Sequence, residues 1–211
     1  MKTEQLLAAL VADRAAGGRS LTRTLSLGLL AGGVLSLGLF FATLGVRQDF
    51  AVAIATWRFD LKIVAMVLAL VVAFALCRAL SRPVPLLHPG RYLLPLLALA
   101  AVAVAIELAV VPMDTWRLRL VGTNSLICLT AVPALSLAPL AGVLAMLRSA
   151  APASPALAGA AAGLLAAATG ATLYAFHCFD DSPLFVVTWY SLSAAIVVAI
   201  GWAAGRRLLR W

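Results

Sequence analysis

The sequence predicts an all-α polytopic membrane protein, a bundle of six transmembrane helices, from its hydropathy, the lengths of its apolar runs and the alternation of its basic residues. Of the 211 residues, 64% are hydrophobic and 11% charged, and the mean hydropathy is +1.06. A soluble domain of this size needs far more polar surface. A helix takes about 20 residues to cross about 30 Å of hydrocarbon, so the length fits one integral unit of short spans and leaves no room for a second domain.

The apolar runs place the spans at about 25–44, 63–80, 92–111, 126–147, 156–176 and 184–203, a transmembrane domain covering 24–204. The first run follows a polar-mixed segment and lacks a small-residue cleavage site, so it reads as a retained span and not a signal peptide. The second is short, its uncharged stretch ending at Cys77. Lys62 and Arg78 at its ends are expected to snorkel to the headgroups. Eleven basic residues, from Lys2 to Arg210, fall on the side of the termini and five on the other: Arg47, Arg58, Lys62, Arg117 and Arg119. The positive-inside rule therefore makes both termini cytoplasmic, with 205–211 a basic cytoplasmic tail. Asp49, Asp60, Asp114, Asp180 and Asp181 all lie on the outer side. The net charge of +8 is thus mostly a topology signal, and no motif or aromatic platform argues for direct nucleic-acid binding.

Residues 1–23 form a cytoplasmic segment. Within Thr3–Ala16, Thr3 can cap a short amphipathic helix, Leu6, Leu7, Leu10 and Val11 make its apolar stripe, and Gly17 and Gly18 end it. The stripe suits the lipid surface or, with Arg14 beside it, the groove of a cytosolic partner. Gly159, Gly163, Ala166 and Gly170 on the fifth span, and Gly28, Gly32 and Ser36 on the first, permit close helix contact. That contact is either packing within one bundle, with the fifth helix central, or the seam of a homodimer.

The outer side carries the reactive residues. Cys128 begins the fourth span, and Cys178 follows the fifth within His177-Cys178-Phe179-Asp180-Asp181-Ser182-Pro183. If the fourth and sixth helices are neighbours, the two thiols can meet. They are then either inert packing residues or a pair sensing oxidants or soft metals. His177 and the carboxylates offer further ligands, but adjacent residues rarely point at one ion and no CxxC or HxxxH spacing exists, so no preformed zinc site is expected. Asp180, Asp181 and Ser182 also read as a helix start, with Pro183 in its first turn. Glu107, one turn from Val111, is expected to reach the headgroups, with ion coupling as the alternative. Cys77 reads as a small buried residue.

Asn124-Ser125-Leu126-Ile127-Cys128-Leu129, the Pro133 to Ala141 stretch, Ala151-Pro152 with Pro155, and Tyr174 through Cys178 and Asp180-Asp181-Ser182-Pro183-Leu184-Phe185 to Trp189-Tyr190 together resemble the NrsF family. Its members are negative regulators of a sigma-F-type extracytoplasmic-function (ECF) sigma factor. The likeness is strong over residues 120–190. The N-terminal half matches in layout only, through Arg47 and Asp49, Trp57 and Arg82-Pro83. The resemblance implies a six-span anti-sigma factor of the bacterial inner membrane, without enzymatic activity or resident cofactor. Its partner would be a cytoplasmic ECF sigma factor, with Leu6, Leu7, Leu10, Val11 and Arg14 the candidate contacts. It also implies that Cys128 and Cys178 sense heavy-metal or oxidative stress near the periplasmic face, with a transient metal ion held by both thiols and His177, Asp180, Asp181 and Ser182 supporting the loop. The competing readings are a periplasm-facing thiol redox enzyme and a small solute transporter. The first lacks closely spaced thiols and the second lacks intramembrane polar groups beyond Glu107.

Overall fold

A computed structural model describes residues 20–84 and 86–210 of the chain. The described residues hold helices and no strand, and six helices are long and apolar enough to cross a membrane. They are α1 (Leu21–Thr43), α2 (Trp57–Leu80), α3 (Leu94–Val110), α4 (Ser125–Leu147), α5 (Pro155–Ala175) and α6 (Pro183–Leu208). The expected helix at Thr3–Ala16, with Leu6, Leu7, Leu10, Val11 and Arg14, lies outside the described residues.

Local chemistry sets the ends. The Ser20, Thr56 and Ser154 hydroxyls accept from the third backbone N–H of α1, α2 and α5 at 3.3, 3.4 and 3.4 Å, each satisfying a donor the helix cannot. Between α3 and α4 a short helix, Trp116–Val121, ends at Gly122. Gly122 has φ +60°, and a Cβ there would come within 2.7 Å of the Asp180 carboxyl carbon, so both backbone conformation and space require glycine. Helix α6 runs on through Leu208 and carries Arg206 and Arg207 in its last turn, where cations complement the helix dipole. Near its start, Val186–Tyr190 form a π-helical turn.

Helix α5 is the axis of the bundle, and Ala158, Ala161, Ala162, Leu165, Ala166 and Ala167 on it are fully or almost fully buried. It packs on α6, α4 and α2, while α1 packs on α4. The small-residue faces are engaged in these contacts. A Cβ on Gly163 would meet the Val197 carbonyl oxygen at 2.6 Å, and one on Gly205 the Gly159 Cα at 2.7 Å. On α1, a Cβ at Gly28 would come within 2.6 Å of the Gly142 carbonyl oxygen, and one at Gly32 within 2.5 Å of Ala138 O. Pro139 explains a further link. It has no N–H, so the Leu135 carbonyl one turn earlier loses its helical partner, and Ser36 Oγ donates to that oxygen at 2.6 Å. Helix α3 stands at the edge, with only Ala103 and Glu107 buried.

The structure also revises the second span. Helix α2 begins at Trp57, six residues before the expected start, and takes Arg58, Asp60 and Lys62 into its first turns. Lys62 does not snorkel. It is 2% exposed, and the Asp181 carboxylate and Cys178 carbonyl described below remove the need for water.

Candidate functional site

The linker after α5, residues 176–182, holds one end of the bundle together, because its residues bond to different helices. His177 Nδ1 lies 3.1 Å from the Gly45 carbonyl oxygen after α1. The Cys178 carbonyl accepts from Arg47 Nη1 at 3.1 Å and from Lys62 Nζ at 2.9 Å, joining the segment after α1 to α2. Asp180 accepts the Thr123 and Asn124 backbone N–H groups at 3.0 and 2.8 Å, at the start of α4. Ser182 Oγ donates to Glu107 Oε1 on α3 at 3.2 Å.

Two charge clusters lie among these contacts. In the first, Arg47 is 7% exposed and grips Asp49 with two parallel bonds, Nε to Oδ1 at 2.7 Å and Nη2 to Oδ2 at 2.8 Å. Its Nη1 donates to Asp181 Oδ2 at 2.8 Å, and Lys62 Nζ donates to Asp181 Oδ1. The Arg47 guanidinium also lies over the Phe179 ring, 4.9 Å from its centroid. In the second, Glu107 is fully buried. It accepts from Arg58 Nη2 on α2 at 3.0 Å and from Arg119 Nη1 at 3.0 Å. A buried carboxylate needs partners of this kind.

Two sequence expectations are corrected here. Asp180, Asp181 and Ser182 do not serve the start of their own helix. Pro183 does open α6, but the Ser182 side chain makes no cap bond there. The three side chains instead bind α4, the Arg47–Lys62 pair and α3. Glu107 does not reach the headgroups, since Arg58, Arg119 and Ser182 hold it inside the protein. Sequence reasoning missed Arg47, Arg58, Lys62 and Arg119 as site residues. The available signal was a near balance of unlike charges, all assigned to one face, with Glu107 sitting within an apolar run and Lys62 at the edge of one.

Cys128 and Cys178 come together in one apolar cluster with Tyr174, Phe185 and Tyr190. Both are free thiols with no exposed surface. Helices α4 and α6 are neighbours at this level: Ser193 Oγ donates to the Cys128 carbonyl at 3.2 Å and lies 3.8 Å from its Sγ. Cys178 Sγ is 3.8 Å from the Asp180 carbonyl oxygen. The Tyr190 hydroxyl is buried here without a hydrogen bond of ordinary geometry. Among the described residues no three His, Cys, Asp or Glu side chains gather as a metal site. Cys77 is buried on α2 in a separate cluster.

The profile of a family described as the negative regulator of sigma F, NrsF, matches residues 10–211. The chain belongs to the NrsF family. It is similar over its full length to two full-length NrsF proteins. The probable anti-sigma-F factor NrsF of Azospira oryzae is 34% identical, and the anti-sigma-F factor NrsF of Caulobacter vibrioides is 35% identical. No solved structure matches the chain. NrsF proteins are named as regulators rather than enzymes.

The electrostatics of this NrsF site favour its closed form. The bonds from Asp49 and then those from Asp181 push the Arg47 guanidinium above its ordinary value, although burial opposes them. The Arg47 bond holds the Asp49 carboxyl below the usual range. Burial raises the Cys178 thiol, with Lys62 as the opposing influence. Cys178 is therefore a protonated, shielded thiol at neutral pH.

Proposed function

We propose that this protein is an anti-sigma factor that holds a sigma-F-type ECF sigma factor at the bacterial inner membrane and releases it under heavy-metal or oxidative stress. The termini are cytoplasmic and Cys128 and Cys178 lie near the periplasmic face. Family membership supports the regulatory role, and the six apolar helices accord with the location. The observation that carries the sensing mechanism is the Cys178 linker. Its backbone and side chains bind residues next to or within α1, α2, α3 and α4, so a change at its sulfur moves most of the bundle.

Two reactions of the thiols balance. A peroxide oxidises one thiol to a sulfenic acid and leaves as water, and the second thiol displaces a further water to close a disulfide. A soft divalent metal instead binds both sulfurs as thiolates and releases two protons. The unpaired Tyr190 hydroxyl beside Cys178 can donate to the oxidised or deprotonated sulfur. Either reaction supplies several kcal/mol, on the scale of the ~5.5 kcal/mol that moves a two-state equilibrium from about 1:99 to 99:1.

Sigma binding falls to the cytoplasmic face, with the segment carrying Leu6, Leu7, Leu10, Val11 and Arg14 as the candidate contact. Purification from membranes should recover a sigma factor that is lost when residues 1–18 are deleted. Serine at both Cys128 and Cys178 should leave insertion and sigma binding intact and abolish release by metal or peroxide. Normal release from the double variant overturns thiol sensing, and failure to recover any sigma factor from the wild type overturns the anti-sigma reading.

A further inference from the structure

The edge position of α3 leaves a slot of about 370 Å³ between it and the rest of the bundle. Helix α2 forms one wall with Ala65 and Ala69, α3 another with Leu97 and Ala100, and α6 a third with Val187 and Ala194. Ala167, Ala168 and Ala171 of the central helix form the floor, and their small side chains give the slot its depth. Its charged lining is confined to Arg58, Lys62 and Asp181, and Tyr190 and Ser191 are the other polar residues along it.

Along α2 the lining runs from Arg58 to Ala69, about 16 Å at a rise of about 1.5 Å per residue. That equals about half of a 30 Å hydrocarbon core, the depth of one leaflet. Alanine, leucine and valine make up most of the walls and offer water few polar partners, so hydrocarbon is the occupant the chemistry favours. The mouth adds a charge preference. Lys62 and Asp181 neutralise each other. Arg58 and Arg119 share the single carboxylate of Glu107, leaving one positive charge in excess. Arg58 bonds Glu107 only through Nε and Nη2, keeps its side chain 28% exposed, and stacks on Trp57 at 4.7 Å. Trp57 is half exposed, as aromatic residues are at the headgroup level.

We propose that this slot binds one acyl chain of an anionic phospholipid, with its headgroup phosphate against Arg58. The site adjoins the Cys178 linker through Lys62 and Asp181, and its occupancy is tested without reference to sigma-factor binding. The lipid comes from the leaflet on the Cys178 side.

The test uses the full chain in vesicles of equal parts phosphatidylglycerol and phosphatidylcholine, doped with phosphatidylglycerol carrying a mid-chain diazirine. After illumination, peptide mass spectrometry should find adducts at Ala65, Ala69, Ala100 and Ala168 at about tenfold the yield found at Leu30 and Leu35 on the exposed face of α1, the ratio a modest binding preference produces. Ala100→Trp should remove the slot adducts and leave those on α1. A phosphatidylcholine probe should label the slot several-fold less. Even labelling of the slot and the α1 face in the wild type overturns the site, as does slot labelling unchanged in Ala100→Trp. Equal labelling by the two probes overturns the anionic headgroup at Arg58.

Discussion

At the scale of single residues, Glu107 is the most consequential charge in the bundle. Its carboxylate is wholly buried and balances Arg58 and Arg119, whose side chains are 28% and 35% exposed. Glu107→Gln preserves shape and removes that balance. Removing one member of a fully buried pair costs about 3–5 kcal/mol, and the partial exposure of both arginines brings the expected loss to about 2–3 kcal/mol. A lowered thermal midpoint in detergent checks it, and an unchanged midpoint denies Glu107 its structural role. Cys178 gives a pH dependence with a definite sign. Burial raises its thiol in the folded protein, so its contribution to stability is complete below the ordinary thiol value of about 8.5 and is lost as pH rises beyond it. The wild type should therefore lose midpoint relative to Cys178→Ala on titration above that value, and parallel curves would remove the effect. Asp49 behaves oppositely. Its lowered carboxyl contributes above the ordinary aspartate value of about 3.9 and ceases to do so on acidification through the lowered one.

At the scale of helices, the contact of α5 with α6 rests on glycine. Gly163→Leu would push a side chain into the Val197 carbonyl oxygen, which a Cβ alone approaches to 2.6 Å. Overpacking of this kind costs about 1–3 kcal/mol or more, and backbone against backbone leaves no side chain to yield. Gly33→Leu on α1 is the control, because a Cβ there meets nothing within 4 Å. Melting curves should show a large loss for the first variant and little change for the second. Six helices long and apolar enough to cross a membrane were legible in the sequence because length and hydropathy mark them. The boundaries of α1, α4 and α5 lie close to those expected. The start of α2 was not legible, because its charges read as helix ends until their partners, more than forty residues away at Glu107 and more than a hundred at Asp181, are known. The same reason hid the site. Cys128 and Cys178 stand out as residue types, whereas Arg47 and Lys62 gain meaning only from pairings that local sequence does not encode.

At the scale of the whole molecule, the bundle is tied at one end by polar bonds and along its length by small-residue contacts around α5. The sulfur-bearing linker belongs to both systems, since it leaves α5, bonds to the near ends of other helices and enters α6. The long reach of those bonds bears on how the chain is made. Arg47 is 134 residues ahead of Asp181, and Lys62 is 119 ahead. During synthesis the basic residues of the early helices are therefore made before their counter-charges exist, and the central helix is itself next to last to emerge. The bonds that tie this end of the bundle can close only after the chain has been made as far as Asp181. A chain cut short before that residue leaves Arg47 with one carboxylate fewer and the buried Lys62 without the carboxylate it bonds, so the order in which the residues arrive sets when this end can close.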